Sequence, residues 1–146
     1  AQVGAVVAGR SSKEAIALKT FGTELGIAFQ LVDDRLDYDA DQAKLGKSVG
    51  DDFREGKVTL PVIIAYQNGD PNEQAFWQRT IGGGEASDMD LEQAQSLLAK
   101  YDALAETSLQ AMKHADNAVN AISCFPDSTY RQALADVAHF SVARSF

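Results

Sequence analysis

Apolar residues recur at three- and four-residue intervals along most of this 146-residue chain. Alternating strand patterns and Asn-Gly hairpins between β-branched runs are missing, so the pattern predicts helices throughout. The opening Ala1-Gln2-Val3-Gly4-Ala5-Val6-Val7-Ala8-Gly9 reads as the tail of a helix closed by Gly9 at a C′ position. A long helix is expected from Lys13 to about Tyr38. Pro61 suits the first helical position of a segment through Gln67, with Gly69 as its stop. Asp70-Pro71-Asn72-Glu73 combines an N-cap, an N1 proline and an N3 glutamate, which opens a helix running to Ile81 and ended by Gly82-Gly83-Gly84. A further helix from Ser87 or Asp88 carries Leu91, Ala94, Leu97, Leu98 and Tyr101. The next, from Leu104 to about Cys124, carries Leu109, Met112, Ala115, Val119 and Ile122. A last one, opened by Ser128, carries Tyr130, Leu134, Val137, Ala138 and Val142. The sum is an all-α architecture of six or seven helices in a single domain. One span breaks the regularity: residues 40–60 have weak periodicity, and a loop of that length in a compact domain points to function.

Composition narrows the partners. The formal net charge is −8 and the sequence pI about 4.6, and no basic stripe exists to follow a phosphate backbone, which excludes nucleic acid as the expected partner. No run approaches the roughly 18 apolar residues of a membrane span, so a cytoplasmic protein without a span is the expectation. Cys124 is the single cysteine, which rules out an internal disulfide; its place near the end of an apolar-periodic stretch predicts a buried structural thiol. The chain begins without an initiator Met, a charged n-region or a cleavage site and so reads as a piece of a longer protein.

The chemistry concentrates where the long helix ends. Gln30, Asp33, Asp34 and Asp37 stand at i, i+3, i+4 and i+7 and share one face. Like charges at i,i+4 cost roughly 0.2–0.5 kcal/mol per pair, and helix C-termini favour cations, so acids here sit at the electrostatically wrong end unless a cation joins them. Carboxylates without His or Cys offer only oxygen ligands, which favours Mg²⁺, and Mg²⁺ commonly completes its shell with substrate phosphates. Lys47 and Lys57, in the glycine-framed loop that follows, are point charges suited to phosphate. A calcium loop starting at Asp37 fits poorly, since position 6 is Gln42 and position 12 is Ser48. Gly22 and Gly26 lie on the same stripe behind Gln30 and serve as notches for a helix or a ligand tail. His114 and His139 are expected in structural roles.

The ordered set Phe29-Gln30-Leu31-Val32-Asp33-Asp34-Arg35-Leu36-Asp37, then Leu45-Gly46-Lys47 with Gly50-Asp51-Asp52, then Glu55-Gly56-Lys57-Val58-Thr59-Leu60-Pro61, resembles the second aspartate-rich region of the trans-isoprenyl diphosphate synthases. The chain as a whole resembles the C-terminal part of a bacterial long-chain member of the octaprenyl or decaprenyl kind. The resemblance implies part of an isoprenoid synthase helical bundle, Mg²⁺ dependence, and condensation of isopentenyl diphosphate with an allylic diphosphate, in a protein that is commonly a homodimer. In that family, departure of the allylic diphosphate gives an allylic cation, isopentenyl diphosphate attacks it, and a proton is lost. By position the resemblance makes Asp33 and Asp37 metal ligands, puts Asp34 in the ligand shell or just outside it, sets Gln30 toward the reacting chain, and gives Lys47 and Lys57 to the diphosphate. Arg35 stands where the family commonly has an apolar residue. The family's first aspartate-rich motif has no counterpart here, so this chain alone is expected to be inactive. Another class I terpenoid synthase, or a non-catalytic helical interaction protein on the same scaffold, are the competing readings. The two lysines of the loop count against the first of these.

Overall fold

The computed structural model describes residues 1–39 and 49–143. Among them the chain is all-α, and no strand occurs. In chain order the α-helices are α1 (Gln2–Val7), α2 (Ser12–Leu36), α3 (Asp51–Arg54), α4 (Leu60–Asn68), α5 (Pro71–Trp77), α6 (Asp88–Lys100), α7 (Ala103–Ala121) and α8 (Thr129–Ala143). Two compact units emerge, Ala1–Val32 with Leu109–Phe146, and Asp33–Ser108.

In the Asp33–Ser108 unit, local signals act as expected at α5. The Asp70 carboxylate accepts from the N–H groups of Asn72 (2.8 Å) and Glu73 (3.0 Å), and Glu73 returns a bond to the Asp70 N–H (2.9 Å). The helix keeps α geometry only to Trp77, however, and continues as a π turn over Gln78–Gly82. Thr80, fully buried, donates its hydroxyl to the Phe76 carbonyl at 2.9 Å, and such back-bonding to the i−4 carbonyl disturbs the regular ladder. The core of this unit joins Tyr38, Phe53, Val62, Phe76, Trp77 and Leu98. Phe53 stacks on Phe76 at 6.5 Å between centroids and meets Trp77 edge-on at 6.3 Å, geometries that add to the burial itself. Phe53 lies on α3, a short helix inside the span read from sequence as a loop.

Glu73 does a second task. Its carboxylate accepts from the Lys100 ammonium (2.6 Å) and the Tyr101 hydroxyl (2.6 Å), which ties α5 to the end of α6. Lys100 first, then Tyr101 and the Asp70 N–H, hold the carboxyl down to about 2 from its ordinary 4.5. A depressed carboxyl stabilises the fold above its unfolded value and stops doing so as pH falls through its folded value. The melting-temperature gap between wild type and Glu73→Gln should therefore be constant above pH 5 and shrink as pH falls from about 4.5 to about 2. A gap that stays unchanged down to pH 2 would contradict this pairing.

In the Ala1–Val32 with Leu109–Phe146 unit, Phe21, Ala118, Ile122 and Ala138 form the core. Gly9 closes α1 with φ +62°, whereas the notches expected at Gly22 and Gly26 do not occur among the described residues: a Cβ at Gly22 would make only ordinary contact with Ala1 at 3.4 Å, and one at Gly26 would meet nothing within 4 Å. The buried face of α7 differs from the expected stripe. Leu109 (57% exposed) and Met112 face outward, whereas Ala111, Ala115 and Ala118 are buried; alanine lets helices approach closely, and the larger apolar residues fall beside that seam. On α8, Ala138 and Val142 are buried as expected but Tyr130 and Val137 are exposed. Cys124 is exposed too, in the single 3₁₀ turn Ile122–Cys124 that ends α7, which corrects the expectation of a buried thiol: Ile122, not Cys124, fills the core side of that turn. His114 has the structural role anticipated for it, its Nδ1 lying 2.7 Å from the Glu24 carboxylate, which also accepts from Asn117 at 3.2 Å.

By length and composition alone, the helix Ser12–Leu36 is apolar enough to cross a membrane. The stretch is not an unbroken apolar run, since Lys19 and Glu24 interrupt it. Glu24 in mid-helix, paired with His114 and Asn117 of α7, marks this face as packed on protein, since a carboxylate in hydrocarbon is costly.

Candidate active site

Asp33, Asp34 and Asp37 come from the last turns of α2, where backbone bonding tightens. The Asp37 N–H still reaches the Asp33 carbonyl (3.1 Å), but Tyr38 and Asp39 donate three residues back, to Arg35 and Leu36 (both 3.2 Å). The helix stops because Tyr38, 2% exposed, turns into the core. Asp33 is exposed, and its carboxylate takes no hydrogen bond among the described residues. Asp34 is half-buried, and Arg35, also half-buried, pairs with Asp39 at 3.4 Å. Gln30, one turn before Asp33 on α2, is exposed.

Asp37 is engaged differently. Its carbonyl accepts from the Gly50 N–H at 2.7 Å. Its two carboxylate oxygens accept from the N–H groups of Asp51 (3.2 Å) and Asp52 (3.0 Å). These are the first two N–H groups of α3, which lack partners inside the helix. Burial raises the Asp37 carboxyl above its ordinary value, and the charges of Asp52 and Asp51 add to that against the pull of the two N–H bonds. The Tyr38 hydroxyl is likewise pushed up, by burial first and then by Asp37, Asp52 and Asp34. Negative charge is therefore dense around this turn.

Gly50 carries the chain into α3 with φ +82°, a left-handed conformation in which a Cβ would also meet Leu91 at 2.6 Å. Gly56, at φ +69°, turns the chain back so that the Lys57 N–H reaches the Asp52 carbonyl at 2.9 Å. The Lys57 ammonium lies 2.7 Å from Asp52 and 2.8 Å from Glu55, and those two bonds keep it protonated well above its ordinary range. The structure thus joins Asp37, Asp52 and Lys57 in one bonded chain, and Asp52 is the member that sequence reasoning left without a role. The signal for it was the acid five residues before Lys57. Lys47 lies outside the described residues.

Among the described residues, no three acids, histidines or cysteines converge to hold an ion. Such convergence is not what Mg²⁺ asks for, since it is commonly bound by one or two carboxylates together with substrate phosphates. Asp33, exposed and unengaged, with Asp34 beside it, fits that habit.

The polyprenyl synthetase family matches residues 1–98. The chain is 39% identical over 145 residues to the octaprenyl diphosphate synthase of Haemophilus influenzae, covering 99% of this chain and 44% of that protein. The octaprenyl diphosphate synthase of Escherichia coli matches at 39% over 144 residues with the same coverage. The chain therefore spans about half the length of the curated relatives it matches. Among solved structures, a decaprenyl diphosphate synthase from Rhodobacter capsulatus superposes with a TM-score of 0.91 at 44% identity, over 99% of this chain and 45% of that one. A polyprenyl synthase from Caulobacter crescentus, complexed with calcium and isoprenyl diphosphate, superposes with a TM-score of 0.87 at 43% identity, over 99% of this chain and 44% of that one.

Proposed function

Since this chain belongs to the polyprenyl synthetase family, we propose that it supplies the second aspartate-rich half of the active site of a Mg²⁺-dependent polyprenyl diphosphate synthase, which condenses isopentenyl diphosphate with an allylic diphosphate. The observation that carries this reading is the exposed Asp33 carboxylate, unengaged among the described residues, on a helix end whose next turn is bonded through Asp37 and Asp52 to Lys57. Mg²⁺ would sit at Asp33 and Asp34, where it supplies neutralisation of charge on the leaving diphosphate.

The remaining steps fall to the chain's own groups. Lys57, fixed by Asp52 and Glu55 and fully protonated, presents its ammonium as a donor to diphosphate oxygens, and Lys47 would do the same. Preorganised cations of this sort favour the charge that builds on the departing oxygen and cost no reorganisation when the bond breaks. Gln30, polar and uncharged one turn before the acids, would face the allylic chain without quenching a developing cation. The homologous neighbour that holds calcium and isoprenyl diphosphate supports a divalent cation and an isoprenyl diphosphate as the ligands.

The test is calorimetric. The longer synthase that contains this chain should bind a non-hydrolysable allylic diphosphate analogue only when Mg²⁺ is present, and chelation should abolish the heat. Binding of equal strength in chelator would remove the reading in favour of a non-catalytic scaffold.

A further inference from the structure

The acids of the α2 end do not share one task. The Asp33 carboxylate is exposed and unengaged among the described residues, whereas both oxygens of the Asp37 carboxylate accept from the N–H groups of Asp51 and Asp52, and its carbonyl accepts from the Gly50 N–H. Gly50, at the N-cap of α3, has no side chain with which to cap it. The carboxylate that does so comes from fourteen residues upstream. A four-residue helix has no stability of its own, so its placement depends on such outside partners. Through α3 the effect reaches the site: Asp52 is the residue whose carboxylate holds the Lys57 ammonium and whose carbonyl holds the Lys57 N–H.

We propose that Asp37 is a positioning residue that caps α3 and thereby places Asp52 and Lys57, and that it is not a metal ligand. The complementary statement, that Asp33 and Asp34 alone hold the cation, rests on the function proposed above; the capping role does not.

Two variants separate capping from ligation, because asparagine keeps one of the two acceptor oxygens that Asp37 gives to α3 but is a poor substitute for a carboxylate on Mg²⁺. The full chain is compared in chelator by hydrogen–deuterium exchange at individual amides. Asp37→Ala should speed exchange at Asp51 and Asp52 about fivefold, the loss of one ordinary cap, and Asp37→Asn, whose amide keeps one acceptor oxygen, should leave one of the two amides close to wild type and speed the other. Asp33→Ala should leave both unchanged. Unaltered exchange in Asp37→Ala, or exchange in Asp37→Asn as fast as in Asp37→Ala at both amides, would overturn the proposal. If Asp37→Ala fails to fold, the asparagine variant decides: protection kept at one of the two amides supports the cap, and protection lost at both sinks it. In the longer synthase, Mg²⁺ titration of diphosphate-analogue binding gives the second arm. Asp37→Asn should keep the wild-type midpoint while Asp33→Asn raises it about tenfold or more. An equal rise in both would make Asp37 a ligand and overturn the proposal. A midpoint moved by neither would overturn the metal reading of Asp33 and leave the cap standing on the exchange result.

Discussion

Asp33→Ala in the longer synthase is expected to lower the condensation rate by about a hundred- to a thousandfold, the range seen when one preorganised electrostatic group is removed from a reacting centre, while leaving the protein as stable as before. The two halves of that expectation have separate physical origins. On the function proposed above, the rate falls because the Asp33 carboxylate would anchor Mg²⁺, which acts on charge that develops only as the diphosphate leaves. Stability holds because the Asp33 side chain is exposed and its carboxylate makes no hydrogen bond among the described residues, and because its charge lies one turn from Asp37, where mutual repulsion costs roughly 0.2–0.5 kcal/mol. Steady-state kinetics with saturating Mg²⁺, set beside a urea unfolding curve of the same variant, checks both. A rate loss accompanied by an equal loss in unfolding midpoint would make Asp33 structural, and an undiminished rate would end its candidacy.

What the chain discloses before folding is mostly what short-range chemistry decides. The Asp70–Glu73 capping box, Pro61 and Pro71 in first turns, and Gly9 in a left-handed C′ position are all satisfied within a few residues of sequence, and all appear as anticipated. The acids and Lys57 were legible as residue types, but not in their division of labour. That Asp37 is engaged while Asp33 is not depends on α3 arriving from fourteen residues away, and no periodicity records an arrival. α3 itself was hidden for the same reason, its cap and its packing both being distant in sequence. Burial on α7 was misjudged because a hydrophobic stripe says which residues are apolar, not which side another helix covers. Here the covered seam is alanine, and Leu109 and Met112 stand beside it. The end of α5 gave way to a π turn at the buried Thr80, a local effect of one hydroxyl that a helical propensity does not register.

The largest effect on stability is expected at Phe53, which links the core to the site. Phe53→Ala should cost about 3–5 kcal/mol, the usual range for emptying an aromatic core position, because the side chain is fully buried and packs on both Phe76 and Trp77. Phe53→Leu, which keeps most of the volume, should cost about 1.5 kcal/mol or less. The consequence extends beyond the core because Phe53 lies on α3 between Asp52 and Arg54. Asp37 fixes the start of that helix by hydrogen bonds, and Phe53 fixes its orientation by packing. With the ring gone the four-residue helix keeps only its cap, and Asp52 loses the backbone placement from which it holds Lys57. The alanine variant should therefore show faster amide exchange at Lys57 as well as a lower urea midpoint, whereas the leucine variant should show wild-type exchange there with a small midpoint shift. Equal exchange at Lys57 in both variants would separate the core from the lysine and leave the Asp37 cap to place it unaided.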